Sequence, residues 1–198
     1  MKRIEQTYSF HSFLYDTDME QTEFLSQYEN NLQQALEKMC ISGGYLAEML
    51  QTPDISEKWH EIAPFYVADA VKEISAYPIV SLGWAMYMGM AVAKFWDEDW
   101  SRYNAIENLY LLVRNQRGFD YLDEVVRADI LGLEGADFDR AENMVRQCAE
   151  YAYNAIRHEQ IEPQSQLAFH VYARSIKVLY NLGAAVWLNQ MGYKKQLS

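Results

Sequence analysis

The sequence predicts an all-α protein: a single-domain bundle of six to seven helices around a buried central helix at about 78–96. Three observations predict it. Between Glu73 and Lys94 lie twenty consecutive residues without a formal charge, Ile74 to Ala93. From Asp18 onward, apolar residues recur at steps of three and four, the period of a helix with one buried face. Beyond residue 18 no run alternates in the manner of a strand.

The uncharged run must be sealed from water, either by lipid or by the rest of the chain. A spanning helix needs about 20 apolar residues, so length alone permits a membrane. Composition argues the other way. Ser75, Ser81, Gly83 and Gly89 dilute the apolar content, and Asp97-Glu98-Asp99 flanks it with no Lys or Arg cluster on either side. Pro78 disfavours a helical Tyr77. The helix therefore runs from Pro78 to about Trp96, roughly 28 Å, which is also the width of a small domain. A helix apolar on every side is otherwise the centre of a larger helical fold, and that is the expectation here.

The remaining elements follow in order. Residues 1–18 leave two conformations open: Ile4, Tyr8, Phe10 and Leu14 fit an extended arm on the body or a helical lead-in. Leu25, Tyr28, Leu32, Ala35 and Met39 then mark one face of a helix that bends or ends at Gly43-Gly44, with Leu46, Met49 and Leu50 resuming the pattern. Thr52-Pro53-Asp54 breaks the chain, and Asp54 with Glu57 has capping-box spacing. Pro64 suggests two short helices, 54–62 and one from Pro64 carrying Phe65, Tyr66, Ala70 and Ile74 inward. After the central helix, Ser101 is a candidate cap for a helix bearing Ile106, Leu109, Tyr110 and Val113 that stops at Gly118. Phe119, Leu122, Val126 and Ile130 make the next helix, ended by Gly132 and Gly135. Asp139 with Glu142 opens another, with Ala141, Val145, Cys148, Ala152 and Ile156 inward. The last runs from about Gln164 to Met191, and Gly192 fits its C-terminal cap.

Within the central helix Ser81, Ala85, Gly89 and Ala93 are spaced four apart, a ridge with almost no side chain. A neighbouring helix can approach such a ridge closely. Alternatively, the ridge and its flexible methionines border a pocket for a flat apolar ligand.

Half of the residues are hydrophobic and 23% are charged, which argues against disorder. A net charge of −11 with only small basic patches, Arg114-Arg117 and Lys194-Lys195, excludes a nucleic-acid face as the reading and disfavours anionic membrane surfaces. Cys40 and Cys148 have no CxxC spacing and read as buried free thiols. The N-terminal residues lack the apolar core of a signal peptide, so the expected compartment is cytoplasmic.

No constellation is diagnostic of catalysis. Glu57, His60 and Glu61 share one side of a helical turn, and Glu-x-x-His is the unit of di-iron bundles. A metal site would need further ligands, with His158 the candidate from elsewhere; no metal or other cofactor is expected. Asp97, Glu98 and Asp99 suit Mg²⁺ chemically, but adjacent helical residues diverge, and a polar turn between helices explains them. Asp123 and Arg127 have the spacing of an exposed ion pair. His170 reads as structural. There is no Gly-x-Ser-x-Gly and no phosphate loop.

Fifteen Tyr, eight Phe and five Trp point equally to a large-residue core and to an interaction surface. The candidate binding residues are Trp84, Tyr87, Met88, Trp96 and Trp100. The functional expectation is a non-catalytic binding protein that acts through a protein partner or as a homo-oligomer. Two alternatives stand beside it: a metal-dependent helical-bundle hydrolase or oxygenase, and a sensor of a small apolar ligand.

Overall fold

The computed structural model describes the backbone of residues 5–73, 77–115 and 117–194, with side chains from residue 19 onward in those ranges. In chain order the helices are α1 (Glu5–Ser42), α2 (Pro53–Glu73), α3 (Pro78–Asn104), α4 (Leu109–Arg114), α5 (Leu122–Glu124), α6 (Gly135–His158) and α7 (Gln166–Gln190). The three-residue α5 sits between a 3-10 turn, Phe119–Tyr121, and a π-helical turn, Val125–Ile130. No strand occurs among the described residues, and the fold is all-α as expected.

The uncharged run is the hub. α3 touches α2, α4, α5, α6 and α7, while α1 lies across α6 and α7. From Ser81 to Ala93 every α3 residue except Trp84 is buried. The apolar surface that would otherwise call for lipid is covered by neighbouring helices. Cross-helix pairs give the directions. Tyr66 meets Ser81 and Asp54 meets Trp96, so α2 runs against α3. Tyr172 meets Ser81 and Tyr193 meets Trp96, so α7 runs with α3. Tyr28 meets Ser175 and Ala47 meets Asn189, so α1 runs with α7.

The tightest contact is the crossing of α3 and α7, where the two backbones touch. A Cβ on Gly89 would overlap the carbonyl oxygen of Tyr180 and lie 2.8 Å from the amide nitrogen of Ala184. A Cβ on Gly183 would overlap the carbonyl oxygen of Met86 and lie 2.8 Å from its carbonyl carbon. Each glycine therefore makes room for the other helix. The small-residue ridge serves helix packing, and α7 occupies the place where a ligand pocket beside Ala85–Gly89 would have been. Gly83 does the same for α6 more loosely, its added Cβ falling 3.1 Å from Val145 Cγ1.

Buried tyrosines then tie the helices together through their hydroxyls. Tyr66 donates to the Ser81 carbonyl at 2.6 Å, Tyr180 to the Ile55 carbonyl at 2.9 Å, and Tyr28 pairs with the Ser175 hydroxyl at 2.8 Å. Burial raises the pKa of Tyr28 and Tyr172 to about 12 and raises those of Tyr66, Tyr110 and Tyr180 as well. These phenols stay protonated at neutral pH, so each hydroxyl keeps a proton to donate. Much of the aromatic content is accordingly core.

Several boundaries differ from the sequence reading, each for a local reason. α1 is already helical at Glu5, whereas Met1–Ile4 and the side chains of residues 1–18 lie outside the described residues. It ends at Ser42, and residues 45–52 do not resume a helix: Asn189 captures the segment, its Oδ1 accepting from Ala47 N and its Nδ2 donating to Glu48 O. α2 is capped by Thr52, whose hydroxyl accepts from Ile55 N at 3.2 Å with Pro53 in the first position, and not by Asp54. α2 also continues through Pro64. Both Pro64 and His60, whose carbonyl loses its helical donor, lie on the exposed side of α2, where the lost bond is not sealed from solvent. Ile74 lies outside the described residues.

The central helix extends past Trp96 to Asn104, with a break at Asp99 (φ −164°, ψ 80°). Asp99 Oδ1 accepts from Arg102 N, so Asp99 caps the last turn and Ser101 does not. The next helix is one short piece capped by Asn108, and the expected helix over 119–130 is split into 3-10, α and π turns. α6 starts at Gly135, ahead of the Asp139–Glu142 pair. α7 starts after Ser165, whose hydroxyl caps Ala168 N, and Gly192 takes φ +88° at its end as expected.

The crossing makes a quantitative prediction. Gly89→Ala or Gly183→Ala should each cost about 3 kcal/mol of stability by overpacking, whereas Gly83→Ala, facing a movable Val145, should cost about 1 kcal/mol. Urea denaturation of the three variants measures this, and equal small losses at all three positions would contradict the backbone contact.

Candidate functional site

The sequence-predicted metal ligands do not assemble. Glu57, His60 and Glu61 are exposed on the outer side of α2. Glu61 is paired with Lys58, a neighbour one turn back. His158 is exposed at the last residue of α6. Among the described residues no three His, Cys, Asp or Glu side chains come together in a cluster able to hold a metal ion. The 97–99 carboxylates also diverge: Asp97 accepts from the Tyr193 hydroxyl, Glu98 pairs with Lys94, and Asp99 caps the chain.

The candidate binding residues spread along α3. Trp84 is half-buried with its ring edge on Phe119, Tyr87 is buried beside Arg127, and Met88 is completely enclosed. Trp96 lies roughly 18 Å further along the axis, twelve residues at 1.5 Å each. There its indole N–H donates to Asp54 and its ring meets Tyr193, and half-buried Trp100 follows one turn later. Trp96 and Tyr193 line a polar surface depression with Gln33, Glu37, Gln51 and Thr52.

Three charged groups sit deeper than the sequence suggests. Lys58 is 3% exposed and donates to the carbonyls of Asn104 and Ile106 at 3.0 and 3.3 Å, tying α2 to the end of α3. Arg127 is 4% exposed, so its pair with Asp123 is not the surface contact expected. Its guanidinium also binds Glu142 at 2.9 Å and lies 3.8 Å from the Phe138 ring centre. It is placed there by the π-helical turn, in which Leu131 N reaches back five residues to Val126 O. Asp69 joins α2 to α4 through the Tyr110 hydroxyl at 2.7 Å and Arg114 at 2.8 Å, with Lys72 at 3.1 Å. Partial burial works against ionisation of Asp69, but the Tyr110 hydroxyl, Lys72 and Arg114 outweigh it and hold its pKa below the usual value. Every one of these groups is matched by protein partners, which suits structure better than chemistry.

An apolar cleft of about 630 Å³ opens where α2, α3, α6 and α7 come together at one end of the bundle. Val71 from α2, Pro78 and Leu82 from α3, Tyr153 and Ile156 from α6, and Phe169 and Tyr172 from α7 line it. The turn Pro163–Ser165 forms one lip. Val71 and Phe169 are 43% and 46% exposed, unusually open for such side chains. The parallel run of α3 and α7 explains the place: both begin at this end, ahead of their crossing at Gly89 and Gly183. None of these residues was among the candidates read from the sequence. The available signal was local, an apolar Leu-Ala-Phe at the first turn of α7 just after a Pro-Gln-Ser turn.

No protein-family model, no curated protein and no solved structure matches this chain.

The Asp69 cluster carries a pH dependence. Because its folded pKa is lowered, Asp69 stabilises the fold at pH values above its unfolded pKa, near 4, and that contribution is lost as pH falls through the lower folded value. Asp69→Asn should therefore cost about 1–3 kcal/mol at pH 7. The gap from the parent chain should close at the acid end, measured by urea titrations between neutral pH and pH 3. A gap independent of pH would mean that the carboxylate charge contributes nothing.

Proposed function

We propose that this chain is a non-catalytic binding protein and that the apolar cleft at the α3 and α7 N-termini receives apolar side chains of a protein partner. The observation that carries the reading is the half-exposure of Phe169 and Val71 on the lips of a cleft lined by Leu82, Ile156 and Tyr172. Burying such side chains on association gains roughly 25 cal/mol for each Å² removed from water. Aromatic residues set in a concave apolar site are the usual anchors of protein interfaces. The partner is either another protein or a second copy of this chain, and the two are told apart by concentration-dependent mass.

A second reading is favoured by one specific feature, the size of the cleft. Its volume falls within the roughly 300–1,000 Å³ range of small-molecule sites, which supports an apolar ligand in the same place. The metal-dependent alternative has no comparable support, since Glu57, His60 and Glu61 are exposed on α2 and His158 is exposed at the end of α6, with no cluster among the described residues.

The test replaces Phe169 with a photo-crosslinking phenylalanine derivative in the host cell and identifies what is captured. Light scattering of the purified chain runs alongside. A partner linked at position 169 and lost on Ala168→Trp, which fills the cleft, is the expected result. Ala168→Trp should leave melting temperature within about 2 °C, because the added ring enters open space. A chain that stays monomeric, with no captured protein and no melting shift in a screen of apolar compounds, would remove both readings.

A further inference from the structure

The two cysteines, 108 positions apart in sequence, meet inside the fold: Cys40 Sγ near the end of α1 and Cys148 Sγ in the middle of α6 are 3.6 Å apart. Both side chains are buried and both are free thiols. We propose that Cys40 and Cys148 form an oxidisable dithiol that closes to an intramolecular disulfide joining α1 to α6.

The geometry supplies what such a pair needs. A disulfide requires its sulfurs about 2.05 Å apart, so from a thiol–thiol contact only a small side-chain rotation separates the two states. The pair is also asymmetric. Hydrogen bonding from Cys148 lowers the pKa of Cys40 against the opposing effect of burial, and the same bond together with burial raises that of Cys148. Cys40, two residues from the end of α1 and next to the non-helical joint, is the sulfur an oxidant reaches first, so it attacks and Cys148 resolves.

Access lies at the joint after α1. Cys40 is two residues from the end of the helix, and its carbonyl accepts from Tyr45 N and Leu46 N in the non-helical segment beyond. That segment is fixed to α7 by Asn189, which holds Ala47 and Glu48. Local opening of this joint, of the kind that exposes helix ends without global unfolding, brings a small oxidant to Cys40.

With hydrogen peroxide as the oxidant, the Cys40 thiolate attacks one peroxide oxygen. The O–O bond breaks, hydroxide leaves, and a sulfenic acid remains on Cys40. The Cys148 sulfur then attacks the Cys40 sulfur, forming the S–S bond and expelling hydroxide, which takes up the proton lost by Cys148. Two electrons pass from the sulfur pair to peroxide, and the net products are one disulfide and two waters. A low-molecular-weight disulfide reaches the same end by exchange, releasing two small thiols.

The experiment exposes the reduced full-length chain to hydrogen peroxide, then unfolds it in N-ethylmaleimide and measures intact mass and linked peptides. The expected product carries no maleimide, is lighter by two hydrogens, and yields one peptide pair joining Cys40 to Cys148. Its melting temperature should rise by about 4–16 °C, as expected for closing a long loop, and return on adding dithiothreitol. Cys40→Ala should retain one alkylatable thiol, Cys148→Ala should stop at an oxidised Cys40 heavier by one oxygen, and neither should show such a rise. Two maleimides on the peroxide-treated parent chain would overturn the proposal, as would sulfonic acid or intermolecular dimers in place of the internal link. The mass measurement is made on the parent chain, so it holds whether or not either variant folds.

Discussion

The contact on which the rest of the structure depends is the touching of two helix backbones, α3 at Gly89 and α7 at Gly183. Neither glycine is exposed to a turn or a loop; each is a gap in a helix face that lets the other helix in. Close approach brings many atoms of both helices within dispersion range at once. It also fixes the angle and register of the pair. With α3 and α7 locked, the positions of Tyr180 against Ile55 and of Tyr66 and Tyr172 around the Ser81 carbonyl follow, and α2 is held in place. Each glycine costs about 1 kcal/mol of helix propensity relative to alanine, so the helices accept a local weakness in return for the contact.

The same crossing explains where the apolar cleft is and where it is not. A shaved ridge can receive either a helix or a ligand, and here a helix has taken it. The apolar opening instead lies toward the N-terminal ends of the two helices, where α2 ends and α6 hands over to α7. Among the described residues the buried charges are paired. Lys58 is spent on backbone carbonyls, Arg127 on two carboxylates and two aromatic rings, and Asp69 on a phenol and two cations.

The fold was legible in the sequence wherever one strong signal decided it. A run of twenty uncharged residues has few ways to be covered, and four-residue spacing of small side chains marks a helix that another will approach. Boundaries were harder, because caps compete. Thr52 and Asp99 captured backbone amides for which Asp54 and Ser101 were equally suited by type. Over 119–130 the apolar spacing fits α, 3-10 and π turns alike, and burial of Arg127 settled on a mixture. The cleft was illegible for a different reason. Its lining comes from four helices and a turn, and no one of them carries an unusual pattern. The nearness of Cys40 to Cys148 is likewise a product of tertiary packing, invisible to spacing.

Asn189 illustrates how narrowly one side chain can define a joint. Its amide oxygen receives two backbone N–H groups from Ala47 and Glu48, while its amide nitrogen gives to the carbonyls of Glu48 and Ala185. Every face of the amide is matched by an opposite pole, so shape alone is not what the site recognises. An aspartate of nearly identical outline would set a negative oxygen against two carbonyl oxygens. Deamidation at this position would thus convert a clasp into a repulsion and loosen the joint after α1.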